Sequence, residues 1–229
     1  MTDYVLAPPP TVSAAIADET ARFPVRRIFC VGRNYGAHVK EMGGDAKEQP
    51  PIFFTKPADA VISDGASVPY PSATRELHHE IELVVALRSG GRDLRPEAAL
   101  ACIYGYAAGV DLTRRDLQGL AKKAAQPWDA AKAFDASAPL GPIRRMEGEP
   151  PPAGARIRLE VDGQARQDAR LSDMIWSVPE VIAEASRLWT LQAGDLIFTG
   201  TPEGVGPVER GQRVDGEVEG VGAVTFTVA

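Results

Sequence analysis

Apolar residues fall in short runs along this chain, separated by Gly, Pro and Asp, and few of the runs carry a helical period. Arg27-Ile28-Phe29-Cys30-Val31-Gly32, Ile52-Phe53-Phe54-Thr55-Lys56 and Leu196-Ile197-Phe198-Thr199 read as buried strands. Ala60-Val61-Ile62 and Val68-Pro69-Tyr70 are shorter strand pieces. Tyr104 to Asp111 reads as a strand ending in an acid, with small residues that suggest close approach by a neighbouring backbone. Asp162-Gly163 centres a hairpin between Ile157 and Gln167, and Val214 to Val228 alternates as a terminal hairpin.

Three segments predict helices besides a short one opening at Pro96. Asn34 is an N-cap candidate for a short helix through Met42, and Thr113 with Asp116 for a helix towards Lys123. Ser177-Val178-Pro179-Glu180 is a capping box, followed by an apolar face of Val181, Ile182, Ala185, Leu188 and Trp189. Strands dominate and do not alternate regularly with long helices, so the pattern predicts an α+β, mostly β domain. Residues 1–24, rich in proline, read as an extended arm, and 25–229 as one domain.

Composition narrows the class. The chain has 229 residues, 44% hydrophobic and 24% charged, enough to bury a sizeable core. The two cysteines show no metal-ligand pairing and suit a reducing cytoplasm. No run reaches transmembrane length, so no membrane partner is expected. A net charge of -6 argues against a general nucleic-acid binder, though not against a local basic pocket for a small anion.

One apolar run carries charges. Glu80-Ile81-Glu82-Leu83-Val84-Val85-Ala86-Leu87 predicts a strand with Glu80 and Glu82 on one face and Ile81 and Leu83 on the other. Two such carboxylates repel unless a cation lies between them, although an exposed polar face is the simpler reading of the pair alone. With Asp111 they make an all-oxygen set that suits a hard cation, Mg2+ or Mn2+, with Ca2+ a further option. His38 and Glu41 are i and i+3, which fits a general-base dyad or a surface ion pair. Arg33, Lys56, Gln118 and Lys132 are candidates for a pocket wall, against the ordinary solvated fate of such side chains. The loop from Gly200 to Gly206 lacks the features of a nucleotide site; it suits backbone N–H groups approaching a ligand oxygen, with the Thr201 hydroxyl beside them.

Seven blocks in one order resemble the fumarylacetoacetate hydrolase family. They are Gly32-Arg33-Asn34-Tyr35 with His38 and Glu41, Phe54-Thr55-Lys56-Pro57, His79-Glu80-Ile81-Glu82, Gly109-Val110-Asp111-Leu112-Thr113, Arg115-Asp116-Leu117-Gln118, Lys132-Ala133-Phe134-Asp135, and Gly194 through Gly206. The match is thinner over 43–50 and 121–127. The resemblance implies a mixed β-sandwich roll, a homodimer and a divalent metal on Glu80, Glu82 and Asp111. It implies a dyad at His38 and Glu41, and oxyanion or carboxylate contacts at Lys56, Gln118, Lys132 and Thr201, with Arg33 close by. The implied partner is a small 2,4-dioxo acid. The implied reaction is cleavage of an acylpyruvate, fumarylpyruvate to fumarate and pyruvate. Oxaloacetate decarboxylation, or isomerisation or hydration of a 2-oxo acid, is the rival on the same fold, and a non-catalytic metal-binding scaffold a remote one.

Overall fold

The computed structural model describes residues 4–36 and 50–229. His38, Glu41 and most of the short helix expected through Met42 lie outside the described residues. The first strands are β1 (Ser13–Ala15), β2 (Arg22–Pro24), β3 (Arg27–Gly32), β4 (Ile52–Lys56), β5 (Val61–Ser63) and β6 (Ser67–Val68). Next come β7 (Leu77–His79), β8 (Ile81–Leu87), β9 (Ile103–Val110), β10 (Thr113–Arg114), β11 (Ala138–Leu140) and β12 (Arg144–Arg145). The chain ends with β13 (Arg156–Val161), β14 (Gln164–Arg170), β15 (Asp195–Phe198), β16 (Gly206–Pro207), β17 (Arg213–Val218) and β18 (Gly222–Val228). Four α-helices lie among the described elements: α1 (Pro96–Ala99), α2 (Arg115–Lys123), α3 (Asp129–Lys132) and α4 (Val178–Leu188).

Two sheets make the body, a mostly β, α+β roll. The larger runs β4-β3-β15-β8-β9-β11-β5, with β12 also on β9; the smaller runs β14-β13-β17-β18-β6. Strand β15 pairs parallel to β3 and antiparallel to β8, so distant parts of the chain meet beside the run that carries Glu82. Strand β8 is buried on both faces. Ile81, Leu83, Val85 and Leu87 pack into the core between the sheets, while Val84 and Ala86 pack on the other side. The first row holds the strand rigidly, since burying each such side chain is worth roughly 1.5–3 kcal/mol. Gly216 of β17 lets the sheets close here, because a Cβ there would sit 2.6 Å from Ile81 Cδ1. The strands β1 and β2 pair with each other, and Ala14, Ile16 and Phe23 of this N-terminal stretch, with Val25 just after it, are buried in the second core.

Several local expectations hold. The Asp162-Gly163 turn has φ of 51° and 73°, as a type I′ hairpin requires. The Ser177–Glu180 capping box forms at the start of α4. Others are corrected. Leu188 is 57% exposed and drops out of the apolar face of α4, whereas Val181, Ile182, Ala185 and, just past the helix, Trp189 pack on the core. Asp116 does not pair with Thr113 across a helix start; its carboxylate accepts from Thr74 Oγ1, Arg75 N and Leu117 N, and so ties α2 to the preceding loop. The small residues of β9 have two causes. At Gly105 a Cβ would meet the Arg144 carbonyl, a backbone approach, but at Gly109 it would meet the Val84 and Phe198 side chains.

Candidate metal and substrate site

Glu80 does not lie within a continuous strand. It is the hinge residue between β7, which joins a small sheet with β10 and β16, and β8 of the large sheet. Glu82 lies opposite Gly109 in the β8–β9 register, and Asp111 follows the last residue of β9. Asp111 N donates to Glu80 O at 2.8 Å, which locks the two strand ends together. The result is three carboxylates whose ligand oxygens all lie within 4.8 Å of one another. Glu80 is 5% exposed, Glu82 1% and Asp111 0%, so the exposed-face reading of the pair is overturned.

Cations compensate this charge. Lys132 Nζ, from the end of α3, donates to Glu80 Oε2 at 2.7 Å, Asp111 Oδ2 at 2.6 Å and Thr113 Oγ1 at 2.6 Å. Burial works against the Lys132 ammonium, but Asp111 and Glu80 outweigh it and hold its pKa above the ordinary value. Arg115, at the start of α2, pairs with Glu80 Oε1 and donates to Gln118 Oε1 at 2.6 Å. Lys56 lies behind the wall of the cleft, not on it. Its Nζ donates to the Leu112 and Lys132 carbonyls and forms an ion pair with Asp111 Oδ1 at 2.9 Å. That ion pair is the contact that the buried Asp111 Oδ1 makes among the described residues.

Glu82 takes a different partner. Gly200 N donates to its Oε2 at 2.7 Å. The glycine loop thus spends one N–H on a carboxylate, where the sequence suggested a ligand. Gly200 is required, since φ is 99° and a Cβ would lie 2.7 Å from Asn34 Cβ. Asn34 holds this corner: its amide donates to Thr199 O and Trp176 O and accepts from Trp176 N, so its Oδ1 is engaged across the fold. Burial, then the Asp111 and Glu80 charges, push the Glu82 carboxyl well above the usual carboxylate range. A buried all-oxygen triad, its oxygens within 4.8 Å of one another and one member with a raised pKa, fits a divalent cation.

The cleft over the triad is lined by Arg33, Glu80, Glu82, Arg115, Gln118, Lys132 and Thr201 together with Phe54, Lys122 and Trp128. Arg33 reaches it from a left-handed backbone, φ 63°, a conformation that costs a non-glycine residue about 1–2 kcal/mol. Lys122 lies over the Trp128 ring at 5.2 Å. His78 is held neutral, its pKa brought down to about 4 by burial and then by Arg115, and it accepts from Arg115 Nε at 3.3 Å. Of the residues singled out in the sequence, Arg33, Gln118, Lys132 and Thr201 converge on the triad and Lys56 backs it. Lys122, Trp128 and Gln167 were not singled out. Gln167 touches Ile81 across 86 residues of chain, a contact with no local signal.

Residues 27–229 match the family described as fumarylacetoacetate (FAA) hydrolase C-terminal. The chain belongs to the fumarylacetoacetate hydrolase family. Among solved members, it is similar to a fumarylpyruvate hydrolase from Pseudomonas aeruginosa in complex with Mn2+ and pyruvate. The TM-score is 0.96 and the identity 47%, with 99% of each chain covered. It is 41% identical to the mitochondrial oxaloacetate tautomerase of Mus musculus, over 89% of this chain and 91% of that one. It is 42% identical to an oxaloacetate tautomerase of Escherichia coli, over 84% of this chain and 88% of that one. No helix among the described residues of this family member is long and apolar enough to cross a membrane.

Proposed function

We propose that this chain hydrolyses the C–C bond of an acylpyruvate, fumarylpyruvate above all, to fumarate and pyruvate. The observation that carries this is the buried triad set in a cleft with Arg115, Lys132, Gln118, Arg33 and Lys122 around it. Three carboxylates face Lys132, Arg115 and Lys56, so the protein's own charges there nearly cancel. A divalent cation on Glu80, Glu82 and Asp111, Mg2+ or Mn2+, would supply Lewis acidity towards the oxygens of a 2-oxo acid. Its charge would also match a dianionic substrate, with Arg33 and Lys122 available to the far carboxylate.

The chain's own groups supply the rest. Gln118 gives its Oε1 to Arg115, which leaves its NH2 as the donor end. That NH2 donates to the oxyanion formed when water adds to the distal carbonyl, and Lys132, whose three N–H bonds go to Glu80, Asp111 and Thr113, adds its positive charge beside it. His38, oriented by Glu41, takes the water proton, which then goes to the departing three-carbon unit. The water hydroxyl stays on the acyl carbon as a new carboxylic acid, which releases its proton to solvent to give fumarate, so atoms and protons balance. We take the working unit to be a homodimer, as the family resemblance implies.

Oxaloacetate keto–enol tautomerisation is the second reading, favoured by the tautomerase relatives. It needs only a proton moved between carbon and oxygen, with no water addition and no oxyanion donor. The N-terminal arm supports the hydrolase: it lies outside residues 27–229 but within the 99% of the chain shared with the fumarylpyruvate hydrolase structure. Parallel assays with Mn2+ on fumarylpyruvate and oxaloacetate separate the two. Fumarylpyruvate should disappear with equimolar fumarate and pyruvate, and His38→Ala should slow this about 10²–10⁴-fold. Inert fumarylpyruvate beside rapid oxaloacetate tautomerisation would reverse the assignment.

A further inference from the structure

Gln167 stands on β14 of the smaller sheet and is 1% exposed, yet its amide is bonded to the strand and loop that build the cleft. Two partners fix which way the amide points. Ile81 N can only donate, so the atom 3.0 Å from it is Oε1. The Pro202 carbonyl can only accept, so the atom 3.0 Å from it is Nε2. Two consequences follow from the donor inventory. His79 Nδ1, 3.0 Å from the same Oε1, carries its ring proton. Thr201 Oγ1, 2.8 Å from Nε2, accepts and does not donate in that bond.

A hydroxyl has one proton. With Nε2 on one lone pair, the Thr201 proton is directed elsewhere, and Thr201 lines the cleft beside Glu80, Glu82 and Lys132. We infer that Gln167 is a positioning residue that fixes the Thr201 hydroxyl as a hydrogen-bond donor towards the cleft, set for an anionic oxygen of a 2-oxo acid. A threonine left to itself presents a lone pair or a proton with equal ease, and only the proton suits an anion. The same amide holds Ile81, between Glu80 and Glu82, in register with the Thr201 loop. The ligand half of the inference rests on the 2-oxo acid reading above.

Pyruvate binding to the Mn2+-loaded protein, measured by calorimetry, provides the test. Thr201→Val removes the donor. Gln167→Glu keeps an acceptor for Ile81 and His79 but turns the other oxygen into an acceptor for Thr201, which draws the proton away from the cleft. Each is expected to weaken pyruvate about 10- to 100-fold, and Thr201→Ser to keep most of the affinity. The double variant should bind no worse than Thr201→Val alone, because both changes remove one donor. A purely structural role would instead give losses that add. Wild-type pyruvate affinity in Gln167→Glu, or additive losses, would overturn the inference and leave the hydrolase reading intact. If the glutamate variant does not fold, Gln167→Met keeps the volume and is read by the same rule: its loss must vanish in the Thr201→Val background. A wild-type protein that binds no pyruvate with Mn2+ would overturn the function, and this inference with it.

Discussion

Lys122 carries a charge that its surroundings work against. Burial, then the Arg115 and Arg33 guanidinium groups, bring its pKa down to about 8. The ammonium is therefore present below about pH 8 and lost above it. If it meets the far carboxylate, KM for fumarylpyruvate should climb as pH rises through that value, with kcat less affected. Acetylpyruvate, which lacks that carboxylate, should show no such climb, and Lys122→Gln should have a raised KM that stays flat across the range. Initial rates for both substrates between about pH 7 and pH 9 check this. A climb of equal size for the two substrates would assign the titration elsewhere. Lys122 also marks a limit of legibility. Glu80, Glu82 and Asp111 stand out in the sequence because charges in apolar strand runs are anomalous, whereas a lysine near the end of an amphipathic helix is ordinary. Only the fold sets it over Trp128 at the cleft.

Elements were legible where the cause was local. The Asp162-Gly163 turn and the Ser177 capping box follow from a few adjacent residues, and both form. The break at Glu80 was not legible, because its cause is non-local: β7 is drawn into another sheet by Thr113 and Arg114 on one side and by Gly206 and Pro207 on the other. That break does not scatter the two glutamates, since Asp111 N holds Glu80 by its carbonyl and Gly200 N holds Glu82 by its carboxylate. Gly200 is thus a joint between the β15 loop and the metal strand. Gly200→Ala meets both a left-handed φ and the Asn34 Cβ. It should destabilise the fold by about 2–4 kcal/mol in urea unfolding. It should also weaken Mn2+ binding, because Glu82 loses its donor when the loop shifts. Unchanged Mn2+ affinity in a folded Gly200→Ala protein would show that this N–H has no part in holding the carboxylate.

On the scale of the whole molecule, the sequence indicated a mostly β domain but could not order its sheets. The parallel pairing of β3 with β15 joins Arg27 to Asp195, and nothing near either residue signals it. Residues 1–24 were expected to be an extended arm, and the strands there are short, but Ala14, Ile16 and Phe23 also close one face of the large sheet. A chain of net charge -6 gathers Lys132, Arg115, Arg33 and Lys122 around one buried acidic triad, an arrangement that suits a cation and an anion bound together. The direct measurement is the rate of fumarylpyruvate loss by chelator-treated protein as Mn2+ is added back. Turnover should be absent without the ion, rise to saturation at one Mn2+ per chain, and stay absent in Asp111→Asn. Undiminished turnover in the chelated protein, or Mn2+ saturation without any cleavage of fumarylpyruvate, would contradict it.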